Sequence, residues 1–381
     1  MELGNRNSER ATTPALALSH GYDPAKANQI DTSPMTGDIR PVRIPEPERG
    51  VSIEAVPLKT IFLHVTKSCN LSCCYCYFSA NKPLPDEMTR IEFGRVWEDI
   101  VTLKPQRVVF TGGEPLLRKD ILQLLCDLRD ADPHHHVLRC LNNNGYLVTP
   151  LLAEELVGLV DEVRVSLDAL AERNDALRGK GSFDAAVRAL DYLHAVGFEP
   201  KVLVTVTSMS IPDLREFLCL LIAKGITRMN LNHFRAIGCG AEHPEWAAAT
   251  SDIDGAVQQA WEECYPRQPV PQEPDNPAVH INCGVGSFIS IMPNGDVFPC
   301  HELMMPEFLC GNVRQQSLTE ICRRHSLLDK LRGLDFHQLA RQDKNLVSLT
   351  GPDMCLGSVF ARTRSLPVWR ETLALRHLQM D

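Results

Sequence analysis

The sequence predicts an α/β fold: a partial (β/α)6 TIM-like barrel followed by a small α+β extension. Three observations predict it. From about residue 58, short β-branched apolar runs alternate with amphipathic runs of helix length, the pattern of a parallel sheet flanked by helices. Glycine and polar motifs recur just after those apolar runs, as in barrels whose functional groups sit at the C-terminal ends of the strands. Beyond residue 280 the alternation stops, and two short strand-like runs flank a Pro-Asn-Gly turn.

Taken in order, strands are expected at 60–66, 107–111, 136–142, 162–167, 201–207 and 228–233. Helices are expected between them, at 89–102, 121–130, 150–159, 183–196 and 211–224. Cys69, Cys73 and Cys76 follow the first strand, and Thr111-Gly112-Gly113-Glu114-Pro115 follows the second. Asn142-Asn143-Asn144-Gly145 closes the third, and the fourth runs into Ser166-Leu167-Asp168. The sixth ends near Asn232, His233 and Arg235 at the barrel mouth. Each motif alone is first a turn or cap signal; their placement at successive strand ends is what makes them a site.

Residues 1–55 are rich in Pro, Asn, Ser, Asp and Arg and sustain no period, so they read as a disordered N-terminal tail. Residues 56–236 form the core, and 237–280 a linker with an amphipathic stretch at 253–264 and a proline-rich run after it. Residues 281–381 form the extension, with strands at 287–292 and 296–298 and a helix at 317–331.

The chain has 381 residues, 44% hydrophobic and 23% charged, enough for a sizeable core. It has no apolar run of about 18 residues and no signal-peptide pattern, which predicts a cytoplasmic protein with no membrane partner. A net charge of −9 argues against a nucleic-acid partner. Fourteen cysteines without an export signal point to metal ligation for some of them rather than a disulfide framework, while Cys126, Cys140, Cys219 and Cys322, in apolar patterns, read as buried structural thiols.

Cys69, Cys73 and Cys76 stand in a C-x3-C-x2-C spacing. Zinc fits this poorly, because no fourth Cys or His follows at finger spacing and His64 lies on the strand. Three thiolates on a four-iron cube leave one iron open to a small molecule. The spacing resembles the signature of the radical S-adenosylmethionine (radical SAM) enzymes, which carry a [4Fe–4S] cluster whose open iron is chelated by SAM. Tyr75 resembles the aromatic that lies near the adenine. Gly112, Gly113 and Glu114, with Pro115, resemble the GGEP motif that receives the SAM ammonium. Ser166 and Asp168 fall where ribose hydroxyls or the SAM carboxylate are held, Arg178 resembles the arginine that pairs with that carboxylate, and Asn144 falls on the cofactor wall. The implied chemistry is reductive cleavage of SAM to methionine and a 5′-deoxyadenosyl radical, which abstracts hydrogen from a substrate. A flavodoxin- or ferredoxin-type donor would supply the electron.

The extension resembles the SPASM or twitch domains of these enzymes, which hold auxiliary iron–sulfur clusters. Cys283, then Cys300 after Gly295, fits the start of that pattern; the dense later cysteine run is missing. Two readings stand: one auxiliary cluster on Cys283, Cys300, Cys355 and Cys310, or a degenerate extension with none. Three functions follow from the resemblance. The leading one is modification of a peptide or protein side chain, with a separate peptide-recognition protein as a partner. The others are a small-molecule dehydrogenase of aminosugar, tetrapyrrole or cofactor synthesis, and a non-catalytic iron–sulfur protein.

Overall fold

The computed structural model describes residues 58–226, 228–265, 285–332 and 355. The expected tail at 1–55, Cys283 and most of the chain beyond 332 lie outside the described residues.

Six parallel strands run in sequence order: β1 (Thr60–Thr66), β2 (Arg107–Gly112), β3 (Leu138–Asn143), β4 (Glu162–Ser166), β5 (Lys201–Val206) and β6 (Met229–His233). β7 (Phe288–Ile291) pairs in parallel with the free edge of β1, and β8 (Asp296–Phe298) and β9 (Gly311–Asn312) follow antiparallel. The result is one nine-stranded sheet ordered β6-β5-β4-β3-β2-β1-β7-β8-β9. No described strand joins β6 to β9, so the barrel is open among the described residues.

Alternation decides the two faces. Ile61, Leu63 and Val65 of β1 are fully buried in the main apolar core. Phe62, His64 and Thr66 take the other face, the barrel interior. The register places Phe62 beside Val109 and Ser290, and His64 beside Thr111.

The helices cover the outer face by the same logic. α1 (Arg90–Leu103) starts at a Thr89–Glu92 capping box, buries Phe93, Val96, Trp97 and Ile100, and stops at the left-handed Lys104. α2 (Ile121–Ala131) buries Ile121, Leu124, Leu125 and Leu128. α3 (Pro150–Leu156), α4 (Ala171–Arg178) and α5 (Ser182–Ala195) follow, then α6 (Leu214–Ala223) and α7 (Thr250–Cys264). Trp261 of α7 is fully buried and α7 packs along α6, so the amphipathic stretch of the expected linker completes the helical layer. Each large side chain so buried contributes about 1.5–3 kcal/mol.

Four local differences from the expected elements have physical causes. The third strand begins at Leu138 rather than 136, because Asp132 accepts from Val137 N–H (2.9 Å) and His135 turns with φ +53°. Helix α3 stops at Leu156, ahead of the left-handed Gly158. Pro212 confines the start of the 211–224 helix to a 3-10 turn, Ile211–Asp213. The 317–331 helix is two, α8 (Leu318–Arg324) and α9 (Ser326–Arg332), separated by an extended His325. The eight-residue α4 was not expected at all.

Candidate functional site

The loop after β1 is closed by its own backbone. Cys69 N–H donates to Asn81 O and Asn81 N–H to Lys67 O, both at 3.0 Å. Inside it, Leu71 N–H donates to Cys69 Sγ (3.4 Å) and Ala80 N–H to Cys76 Sγ (3.5 Å), the N–H···S contacts that stabilise a thiolate. Burial pushes the Cys73 thiol up to about 12 and raises Cys69, and the charge of Cys76 raises both further. Among the described residues no trio of His, Cys, Asp or Glu closes around a single metal ion. Two of the three thiols thus receive backbone amides, the donor chemistry of cluster ligands. Cys74 faces elsewhere: its thiol and its amide both donate to Leu177 O at 3.1 Å.

The Gly-Gly turn presses against this loop. Gly113 N–H donates to Thr66 O and Glu114 N–H to Ser68 O, both at 2.8 Å. A Cβ on Gly113 would lie 2.0 Å from Ser68 O, and one on Gly112 (φ +138°) 2.3 Å from Thr66 O. The close approach that glycine permits here is to the backbone of the cysteine loop. Glu114 is also turned inward, at 1% exposure. Its carboxylate accepts from Leu116 N–H (3.0 Å) and Asn144 N–H (2.8 Å), and burial lifts it to about 7. Asn144 in turn donates through Nδ2 to Asn70 Oδ1 (2.8 Å). Glu114 thus ties the end of β3 to the cysteine loop.

The structure pairs Asp168 and Arg178 with each other. Arg178 donates from Nε to Asp168 Oδ2 (2.6 Å) and from Nη2 to Oδ1 (3.0 Å). Asp168 is fully buried and also accepts from the Tyr75 hydroxyl and from Thr205 N–H (2.7 Å). The Arg178 guanidinium lies 5.6 Å from the Tyr75 ring centroid. Burial raises Tyr75 well above the usual phenol value. Tyr75 is thereby fixed by its hydroxyl beside the thiols, and Ser166 is half-buried on the interior face of β4.

Beyond β8 the chain returns to the barrel mouth. Cys300, Cys310 and Cys355 are all buried. Glu302 N–H donates to Cys300 Sγ (3.4 Å), and the Cys355 thiol donates to the Glu302 carboxylate. Cys300 and Cys355 are therefore brought together around Glu302, whereas Cys310 directs its thiol to Phe308 O (3.4 Å). Burial would raise Glu302, but Arg235, 3.4 Å away, and His301 outweigh it and hold it below the usual carboxylate range.

Sequence reasoning missed Glu302, His301, Tyr77 and Asn70. His301 packs at 4.4 Å from Phe62 and 5.8 Å from Tyr77, ring to ring, on the barrel interior. His64 stacks on Phe78 at 4.5 Å with neither ring nitrogen hydrogen-bonded, and burial drops it to about 3. The one signal available was the run Cys300-His301-Glu302 directly after a hairpin.

The class of protein follows from the barrel and its cysteine loop. The chain belongs to the radical SAM superfamily: residues 63–217 match the Radical SAM superfamily model, and 283–348 match the SPASM iron–sulfur cluster-binding domain. The family binds SAM and a [4Fe–4S] cluster, and the second match indicates auxiliary iron–sulfur binding in the extension. The chain is similar to the mycofactocin maturase MftC of Mycobacterium tuberculosis, 32% identical over 70% of this chain and 71% of that protein. It is also similar to an AdoMet-dependent heme synthase of Nitratidesulfovibrio vulgaris, 28% identical over 70% and 79%. Among solved structures, Streptococcus suis SuiB bound to S-adenosylmethionine shares the fold, with a TM-score of 0.62 at 17% identity over 83% of this chain and 77% of that one. No described helix is long and apolar enough to cross a membrane.

Proposed function

We propose that this radical SAM enzyme is a peptide maturase, removing hydrogen from a side chain of a peptide substrate. The observation that carries this reading is the similarity to the mycofactocin maturases over more than two thirds of both chains. A small-molecule reading, with a tetrapyrrole substrate, draws on the similarity to the heme synthases. Both use the same initiating chemistry: the cluster and SAM together supply a 5′-deoxyadenosyl radical.

Cys69, Cys73 and Cys76 would hold the cluster. The backbone at Gly112 and Gly113, with Asn144, Ser166 and Tyr75, would line the SAM site. Glu114 and the Asp168–Arg178 pair would set the positions of those groups. Cys300 and Cys355, with Cys283, would serve the auxiliary cluster, and Cys310 is the weaker fit because its thiol is engaged elsewhere. A flavodoxin- or ferredoxin-type protein would deliver electrons, and a separate protein would present the peptide.

The test is anaerobic turnover of the reconstituted enzyme with SAM, a reductant and a short peptide encoded beside it. The expected result is 5′-deoxyadenosine released in step with hydrogen loss from the peptide. An unchanged peptide, with a tetrapyrrole consumed instead, would overturn the peptide reading. Replacing Cys69, Cys73 and Cys76 together by Ala should abolish deoxyadenosine while leaving iron in the extension, about one four-iron cube per chain.

A further inference from the structure

We propose that Cys219 and Cys264 form an oxidisable dithiol, separate from the cluster thiols, that closes reversibly to a disulfide and bolts α7 to α6. The two are 45 residues apart in sequence, yet the Cys264 thiol donates to Cys219 Sγ at 3.0 Å. A disulfide needs about 2.05 Å, so closure asks for an approach of roughly 1 Å and no refolding.

The helices hold the thiols in place. Cys219 sits on α6 between the buried Leu218 and Leu221, and Cys264 ends α7, one turn beyond the fully buried Trp261. The Cys219 thiol also lies 3.9 Å from Ala260 O, so it faces α7 rather than solvent. Both residues are only half-buried, so a small oxidant reaches them. Burial, then the hydrogen bond and charge of Cys264, push Cys219 up to about 12, so the close approach of the two sulfurs rather than a ready thiolate favours closure.

The oxidant is an organic disulfide such as oxidised glutathione. One thiolate of the pair attacks one of its sulfurs, its S–S bond breaks and one thiol leaves. The other cysteine then attacks the mixed disulfide, the new bond forms and the second thiol leaves. Two electrons and two protons pass from the protein to the oxidant, which becomes two thiols. The bond falls at the C-terminal end of α7.

The experiment treats the anaerobically purified full chain with oxidised glutathione, then maps peptides by mass spectrometry with and without dithiothreitol. The expected result is one cross-linked pair carrying Cys219 and Cys264, about 2 Da lighter than the reduced peptides and restored by dithiothreitol. The oxidised protein should also melt at a higher temperature. Cys264→Ser and, separately, Cys219→Ser should each lose the cross-link and the rise in Tm, with the iron content unchanged. A cross-link to another cysteine, a stable glutathione adduct at Cys219 or Cys264, or no cross-link in the wild-type chain would each overturn the proposal. The wild-type map decides the matter even where a variant fails to fold.

Discussion

Glu114 is a carboxylate sealed at the end of the second strand, and its two oxygens are occupied by backbone amides of Leu116 and Asn144. Burial dominates those hydrogen bonds and lifts it from an ordinary 4.5 to about 7. The sign follows from proton counts. Between those two values the folded chain holds a proton that the unfolded chain has lost, so stability falls as pH rises through the window. The loss attributable to this group is on the order of 3 kcal/mol, at 1.36 kcal/mol per unit. Glu114→Gln removes the titration but also exchanges one acceptor oxygen for a donor, at a pH-independent cost of about 1–3 kcal/mol. Urea unfolding at pH 5 and pH 8 separates the two effects: wild type should lose roughly 3 kcal/mol relative to the variant between them. An unchanged difference would mean that Glu114 ionises as an exposed carboxylate does.

At the scale of elements, the β2 turn and the cysteine loop act as one unit, because glycine lets two backbones touch. Gly113→Ala places a carbon 2.0 Å from Ser68 O, and no flexible side chain is there to yield. The loop must move, so iron bound at Cys69, Cys73 and Cys76 and SAM cleavage should fall at least tenfold. Gly94→Ala is the control: it lies exposed within α1 with nothing within 4 Å of the added carbon, and should stabilise the chain by about 1 kcal/mol. Equal behaviour of the two variants, read by iron analysis and thermal melting, would refute the docking. The same elements explain what the sequence made legible. The strands and most helices were readable because their buried faces repeat at two or at three to four residues. α4 was not, since only Asn174, Leu177 and Arg178 of its eight residues are buried and no apolar period marks it. The cysteine loop was readable from spacing alone. The pairing of Asp168 with Arg178 was not legible because it depends on α4, and the Glu302 cluster was missed because its partners, Arg235 and Cys355, lie far along the chain.

At the scale of the whole molecule, the extension is built onto the barrel rather than tethered to it. Its β7 pairs with β1 from Thr60–Phe288 to Leu63–Ile291, so the strand that leads into the cysteine loop has the core on one side and the extension on the other. Asp99 of α1 accepts from Leu318 N–H (2.8 Å) and the Thr319 hydroxyl (2.6 Å) at the start of α8. Arg314 reaches back to Glu92 at 2.6 Å. Ile289, Ile291, Phe308 and Leu328 lie in the same apolar cluster as Ile61 and Leu63. A sheet and core shared in this way should melt once, cooperatively, with near- and far-ultraviolet circular dichroism changing together. A chain ending at Tyr265 would lose β7 and leave the β1 edge unpaired, with its apolar face uncovered where the extension packed. An exposed apolar edge strand recruits other chains, so the shortened protein should aggregate at concentrations where the full chain stays monodisperse by light scattering. Two separate transitions in the full chain, or a shortened chain that stays folded and soluble, would show that barrel and extension are independent after all.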